Sequence, residues 1–198
     1  MKFALYSVLM ALIIRIAGLI AAASLFAQDP QEPRPVFGIT VVIPTALQGR
    51  IYHLRHNTKR LPDFTKMKPS GTIYTTSLNI PTQHFKVGFP GVTKRFEWFA
   101  IDYTGRFWAE KPGDYDFSLT SDDGSDLYID GKLIVDNDGT HSTRERSGTV
   151  VLSRGVHDIR VSYFQGPADR VALVLKVAPP EEHYRIFSTD ELKPPPGP

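Results

Sequence analysis

Two adjacent aspartates in the middle of the chain are the residues whose chemistry is best suited to ligand binding. Asp122 and Asp123 lie in the segment Thr120-Ser121-Asp122-Asp123-Gly124, and the stretch from residue 114 to residue 138 contains eight aspartates. Neighbouring carboxylates repel each other unless a cation or hydrogen-bond donors neutralise them. Calcium binds about six to eight oxygens, so the pair predicts a calcium site, although the spacing is not that of an EF-hand. An ordinary aspartate-glycine turn is the alternative.

No group of residues in the sequence predicts catalysis. Cysteine is absent, and there is neither a Gly-x-Ser-x-Gly turn nor a phosphate-binding glycine loop. His53 and His56 would point to opposite faces of a strand, which disfavours a shared metal. Glycoside hydrolysis needs two carboxyls roughly 5–10 Å apart across a substrate, and adjacent residues on one loop rarely provide that. We therefore expect a protein that is not an enzyme.

The elements that position these aspartates are predicted to be β-strands. Apolar and polar residues alternate through residues 115–120 and 159–163, and a more buried run spans residues 171–177. That period of two is typical of strands with one face on a core. No sustained helical period occurs after the first 27 residues. The fold class we predict is all-β, an antiparallel β-sandwich with a jelly-roll-like arrangement, preceded by an N-terminal signal helix.

Turn residues occur where such strands would reverse. Asp130-Gly131, between two apolar triplets, is the strongest hairpin signal in the chain. Ser153-Arg154-Gly155 and Lys111-Pro112-Gly113-Asp114 predict two further turns, and Thr104-Gly105 predicts another. Prolines break the N-terminal half into short strands and long loops, which we interpret as the first strands of the same domain.

The first 27 residues have the pattern of a secretory signal peptide. Lys2 precedes an apolar run, and the small residues Ala21-Ala22-Ala23 come before a proline-bearing polar stretch. Cleavage after Ala23 or after Ala27 fits this pattern. An uncleaved membrane anchor is the alternative, which Arg15 disfavours because a charge in mid-bilayer is costly. We predict a secreted protein, or one of the periplasm or cell envelope, with membrane contact only if the segment is uncleaved.

The remaining chain is divided by composition and charge. We predict a linker and first extended segment over residues 28–46, the sandwich domain over residues 47–178, and a C-terminal extension with a proline-rich tail over residues 179–198. Removing Lys2 and Arg15 with the signal leaves 21 basic residues against 21 acidic ones. A neutral chain lacks the basic charge that nucleic-acid binding requires. No nucleic-acid partner is therefore expected.

The central segment resembles a known family. Residues 115–132 read Tyr-Asp-Phe-Ser-Leu-Thr-Ser-Asp-Asp-Gly-Ser-Asp-Leu-Tyr-Ile-Asp-Gly-Lys, and residues 135–141 continue Val-Asp-Asn-Asp-Gly-Thr-His. Together with Gly49-Arg50-Ile51-Tyr52 and Leu61-Pro62-Asp63-Phe64, they resemble the signature of the anthrax protective antigen (PA-fourteen) domain family. The resemblance covers roughly residues 47–178.

This resemblance implies a lectin-like β-sandwich and a binding role. Many members are carbohydrate-binding modules in adhesins, glycosidases and toxins, and in the lectin members an aspartate pair joined by a cis peptide bond chelates calcium, which binds sugar hydroxyls. Asp122 and Asp123 occupy that position. In the loop before the last long strand, Gln165 and Asp169 are the oxygen donors that would complete the site, although the asparagine typical of lectins is missing and Arg170 would compete for the carboxylates.

The sequence predicts neither an exposed aromatic platform nor a histidine ligand in these loops. Tyr163 and Phe164 adjoin the loop, but strand alternation predicts that one of them is buried. His141 and His157 are predicted to be scaffold residues.

Two main functions follow as hypotheses, and a third is an accessory domain for a polysaccharide enzyme encoded elsewhere. The first is a non-catalytic module that binds a glycan or cell-envelope polysaccharide through calcium, with Asp122, Asp123, Gln165 and Asp169 as metal and ligand residues. The second is a structural or protein-interaction module of the cell envelope, with neither metal nor sugar.

Overall fold

The computed structural model describes residues 36–167 and 170–194, and their regular structure is almost entirely β-strand. The predicted signal helix lies outside these residues, as do residues 28–35 of the linker and residues 195–198 of the tail. The strands are β1 Leu47–His53, β2 Gly71–Thr75, β3 Asn79–His84, β4 Phe99–Ala109, β5 Gly113–Asp122, β6 Ser125–Ile129, β7 Lys132–Asn137, β8 Arg144–Leu152, β9 Gly155–Gln165, β10 Arg170–Ala178 and β11 Arg185–Ile186. A 3-10 turn spans Phe64–Lys66. In the described part of the chain, no helix has the length and apolar character needed to cross a membrane.

The strands form two antiparallel sheets, which confirms the predicted fold class. The six-stranded sheet has the order β2-β1-β4-β9-β6-β7, and the five-stranded sheet has β11-β10-β5-β8 with β3 also paired to β10. Alternate side chains of β4, β5, β9 and β10 meet between the sheets in one buried apolar cluster. The C-terminal segment contributes to the same cluster through Phe187, which is completely buried.

The hairpin signal at Asp130-Gly131 is confirmed. Asp130 has a φ of 50° and Gly131 a φ of 78°, and positive φ at both central residues is the geometry of a type I′ turn, which matches the twist of paired strands. This turn joins β6 to β7. The chain also reverses at Lys111-Pro112 and at Ser153-Arg154, and the glycine that follows each pair is the first residue of β5 or β9.

The turn predicted at Thr104-Gly105 is wrong, because β4 continues through both residues to Ala109. The glycine has a packing role instead. A Cβ on Gly105 would lie 2.7 Å from Leu47 Cδ2 and 3.4 Å from Leu47 Cα, so its small size lets β1 and the chain before it approach β4. Glycine inside a strand often marks such a close approach.

A second apolar cluster lies on the outer face of the six-stranded sheet. It contains Tyr52, Leu54, Phe64, Trp98, Ala100 and Phe164, with Leu61 and Met67 packed against it. The long β1–β2 loop, residues 54–70, therefore folds back over its own sheet. Tyr163 points to the core between the sheets and Phe164 to this second cluster, and both are completely buried. The expectation that only one of them is buried was wrong, because the loop covers the face that alternation assigned to solvent.

Antiparallel pairing brings five connections to one end of the sandwich, which we call the site end. They follow β1, β3, β5, β7 and β9. Both sequence signals for ligand binding, the aspartate pair and the loop after Gln165, lie here.

Candidate functional site

The aspartate pair is at the tip of the shortest connection of the site end. Asp122 is the last residue of β5, and only Asp123 and Gly124 separate it from the start of β6. The Asp122–Asp123 peptide bond is cis, as the resemblance implied. Asp122 is partly buried, whereas Asp123 is 4% exposed.

Backbone N–H groups from two other loops hold the Asp123 carboxylate. His141 N donates to Oδ1 at 3.0 Å and Gly166 N donates to Oδ2 at 2.9 Å. Thr143 Oγ1 donates to Asp122 Oδ2 at 3.1 Å. The two carboxylates are thus fixed in place by connections that are distant in sequence, and each oxygen retains lone pairs for a further partner.

The pair has more negative charge than its protein surroundings offset. Burial raises the pKa of the Asp123 carboxyl, the two backbone N–H groups lower it, and the charge of Asp122 raises it further. Within residues 36–167 and 170–194, no lysine or arginine forms an ion pair with either aspartate. A bound cation would relieve both the burial and the repulsion.

The chemistry of these donors fits calcium with an incomplete protein shell. The oxygens at the pair are those of its own carboxylates and of the Thr143 hydroxyl, and hard cations prefer oxygen ligands. The described residues contain no group of three or more His, Asp or Glu side chains placed to bind one metal ion. Two carboxylates therefore leave coordination positions to backbone oxygens, water or ligand hydroxyls.

Gln165 is buried and supports the site through its hydrogen bonds. Its side chain is 1% exposed, and its Nε2 donates to Pro167 O at 3.1 Å and to Arg170 O at 3.0 Å. The Tyr163 hydroxyl lies 2.7 Å from Gln165 Oε1 and from Asp122 O, two acceptors that share its single proton. Gln165 thus ties the β9–β10 loop to the aspartate loop. Its predicted role as a direct ligand stays a prediction, and Asp169 lies outside the described residues.

A buried polar network fixes the connection between β7 and β8, which contains His141 and Thr143. Asn137 Nδ2 donates to Ser121 Oγ at 3.0 Å, and Arg144 Nε donates to Asn137 Oδ1 at 2.7 Å. The ring nitrogens of His141 lie 2.8 Å from Ser142 O and 2.9 Å from Asn137 O. The His141 side chain therefore shapes the loop whose backbone holds Asp123. His157 is part of the scaffold at the opposite end, where its Nδ1 lies 2.7 Å from Asp130 Oδ2.

Sequence reasoning missed Trp98. This residue precedes β4 with a φ of 51°, and its Cζ3 lies 3.6 Å from where a Cβ on Gly166 would be. Its indole is 7% exposed, and the ring of His56 packs on it with centroids 4.7 Å apart. His56 thus contacts an aromatic ring beside the aspartates, whereas His53 ends β1. No local pattern in the sequence reveals this contact.

Two packed antiparallel sheets with an acidic site among the loops at one end define a lectin-like β-sandwich domain. The PA14 domain family matches residues 50–190, and the chain belongs to this family. The resemblance inferred from the sequence is thereby confirmed. No curated protein matches the sequence.

Solved structures share the fold at low sequence identity. A PA14 sugar-binding domain from an RTX adhesin is 17% identical with a TM-score of 0.62, over 74% of this chain and 96% of that one. The epithelial adhesin 9 A domain from Candida glabrata, in complex with Galβ1-4GlcNAc, is 14% identical with a TM-score of 0.51, over 79% and 93%. An anti-sigma factor domain-containing protein is 22% identical with a TM-score of 0.60; the match covers 78% of this chain but only 49% of that protein, about half its length.

Proposed function

We propose that this chain is a non-catalytic carbohydrate-binding module, exported to the cell surface or envelope, which holds a glycan through calcium at Asp122 and Asp123. The observation that supports this most directly is the electrostatic state of the pair. A buried carboxylate and its partly buried neighbour are fixed side by side at an open end of the sandwich. When bound there, calcium would offer its remaining coordination positions to sugar hydroxyls.

The family and its structural neighbours support the same class of ligand. The RTX adhesin domain is described as sugar-binding, and the Candida glabrata adhesin domain was solved with a disaccharide. In this chain, the N–H groups of His141 and Gly166 would keep the Asp123 carboxylate oriented, and Thr143 would do the same for Asp122. Gln165 would maintain the shape of the adjoining loop.

A structural role is the competing function, and one observation favours it. Asp123 lies in one connection and accepts hydrogen bonds from backbone N–H groups of two others. These hydrogen bonds link three connections without a metal. Calcium binding separates the two functions. Calorimetric titration with calcium should give one binding event in the native protein and none in Asp122→Asn, which keeps the size of the side chain.

The matched control is Asp114→Asn, an exposed aspartate near the opposite end of the same strand. We expect it to bind calcium as the native protein does. Calcium at about a hundred times its dissociation constant should stabilise the native fold by about 2.7 kcal/mol. A folded native protein that shows neither heat of binding nor a shift in melting temperature in millimolar calcium would leave only the structural role.

A further inference from the structure

Two of the five connections at the site end are strongly basic, although the chain as a whole is nearly neutral. The β1–β2 loop, residues 54–70, and the β3–β4 loop, residues 85–98, contain eight lysines and arginines against two acids, Asp63 and Glu97. The basic residues are Arg55, Lys59, Arg60, Lys66, Lys68, Lys86, Lys94 and Arg95. All of them are at the site end. The strand pairing therefore concentrates positive charge beside the acidic site.

Three of these cations form one ordered segment, residues 55–60, which we call the basic turn. Its fold is local: Thr58 N donates to Arg55 O at 3.2 Å, Thr58 Oγ1 donates to the same carbonyl at 2.7 Å, and Asn57 has a φ of 65°. A side-chain bond of this kind stabilises a tight turn. Arg55, Lys59 and Arg60 are exposed.

Contacts at both ends place the basic turn against the site. On one side, His56 packs on Trp98, and Trp98 N donates to Gly166 O at 3.0 Å. The N–H of the same Gly166 donates to the Asp123 carboxylate. On the other side, Leu61 N donates to Asp138 Oδ1 at 2.8 Å. Asp138 begins the β7–β8 connection, and that connection supplies the His141 N–H to Asp123. The basic turn thus bridges two of the loops that hold the aspartate pair.

The positive charges of this turn remain available to a ligand. The Arg60 side chain is 81% exposed, and its contact with Asp138 is long, at 4.0 Å. Such an exposed pair contributes little to folding stability, typically about 0–1 kcal/mol. A stabilising role in the fold therefore does not account for three exposed cations on one turn.

We propose that the ligand of this site is an acidic sugar, whose hydroxyls bind at Asp122 and Asp123 and whose carboxylate or sulfate contacts the basic turn through Arg55, Lys59 and Arg60. This inference rests on the proposed function. With calcium present, the two aspartate charges are neutralised, and the basic turn then determines the sign of the local field. At physiological salt that field acts over about 8 Å, so the inference requires a charged group of the bound sugar, or of its neighbour in the glycan, to lie within that range of the basic turn.

The test compares each acidic ligand with a counterpart of the same sugar sequence that lacks the negative charge. Affinities for a galacturonic acid trisaccharide and its methyl ester, and for a 6-sulfated galactosyl disaccharide and its unsulfated parent, are measured by calorimetry in calcium. The protein variants are Arg55→Gln/Lys59→Gln/Arg60→Gln, Asp122→Asn, and a control with three cations changed at the opposite end, Lys111→Gln/Lys132→Gln/Arg154→Gln. Circular dichroism verifies that each variant is folded.

We expect at least one acidic ligand to bind the native protein about tenfold more tightly than its neutral form, the combined effect of three exposed charge contacts. The triple variant of the basic turn should lose that preference and keep neutral binding, while the control keeps both. A preference within the galacturonic acid pair identifies the carboxylate as the group recognised, and a preference within the galactosyl pair identifies the sulfate. The preference should also shrink as sodium chloride rises from roughly 50 to 500 mM.

Other outcomes overturn the inference and can be told apart. Equal affinity for charged and neutral forms, or an equal loss of both in the basic-turn variant, refutes the role of charge and leaves the calcium site intact. Acidic sugar bound equally well by Asp122→Asn refutes the proposed function as well. Binding of anionic lipid vesicles or duplex DNA that persists in a chelator would show that the basic turn serves another class of partner.

Discussion

Asp126 gives the clearest prediction of how a buried charge affects this fold. It is the second residue of β6 and is 9% exposed. Its Oδ2 accepts a hydrogen bond from the Tyr128 hydroxyl at 3.1 Å, whereas its Oδ1 has no partner among the described residues. Burial, followed by the charges of Asp136 and Asp138, raises the pKa of Asp126 from 3.8 to about 6.

That shift gives the sign and the size of the effect. The folded protein binds more protons than the unfolded chain between the two pKa values, so its stability falls as the pH rises from about 4 to about 6. A shift of roughly two units corresponds to about 3 kcal/mol of destabilisation at pH 7. Asp126→Asn removes the ionisation and keeps an acceptor for Tyr128, but it introduces an amide N–H that also needs a partner, at a cost of about 1 kcal/mol. We therefore expect a net gain of about 2 kcal/mol at pH 7.

Urea unfolding of the native protein and Asp126→Asn, at pH 7 and at pH 4, measures this difference. The gain should disappear at pH 4, where Asp126 is protonated in the folded protein. Asp114→Asn, which removes an exposed charge from β5 in the other sheet, should change stability by less than about 0.5 kcal/mol. A loss of stability in Asp126→Asn at pH 7, or a gain of equal size at both pH values, would refute the electrostatic reasoning.

Two further predictions concern packing and a titrating histidine. In Gly124→Ala the new Cβ would lie 2.4 Å from Phe164 Cε1, so we expect the free energy of unfolding to fall by more than about 2 kcal/mol. The control Gly131→Ala has open space but a positive φ, and it should cost about 1 kcal/mol. Equal losses of stability in urea unfolding would contradict the packing argument. Burial lowers the pKa of His157 and is the largest single influence on it, but the hydrogen bonds to Asp130 and to the Ser153 carbonyl, together with the charges of Asp130 and Asp158, outweigh burial and raise the net pKa. Its stabilisation is therefore complete below the unfolded pKa of about 6.5 and is lost as the pH rises through the folded value. Asp130→Asn should lower the pKa of the His157 ring in an NMR titration, and an unchanged pKa would show that Asp130 does not control it.

The parts of the fold that were predicted correctly depend on local patterns. Alternation in residues 115–120 and 171–177 identified β5 and β10, and Asp130-Gly131 identified the β6–β7 hairpin, because side-chain period and turn geometry are determined by adjacent residues. Gly105 shows where such patterns fail. A glycine that permits a close approach and a glycine that forms a turn are identical in sequence, and only its distance from Leu47 separates the two roles.

The aspartate pair was identified from its two residues, but the structure that surrounds it was not. Asp123 is held by N–H groups from residues 18 and 43 positions away, and a backbone N–H leaves no mark on residue type. The position of Trp98 beside Gly166 could not be predicted either, because it depends on the path of two long loops. Gln165 was noticed as an oxygen donor, yet its buried amide hydrogen-bonds to the loop backbone. Residue type revealed the capacity of Gln165 to form hydrogen bonds but not its partners.

This arrangement bears on how the site would respond to substitution. The Asp123 carboxylate accepts both of its N–H contacts from the backbone, so no single side-chain deletion removes a hydrogen-bond donor from it. The Asp122 carboxylate, in contrast, accepts its hydrogen bond from the Thr143 side chain and is partly exposed. Changes in sequence can therefore reorient Asp122 without disturbing Asp123. Under the proposed function, the calcium affinity of this chain should accordingly depend more on Thr143, the side-chain partner of the first carboxylate, than on side chains near the second.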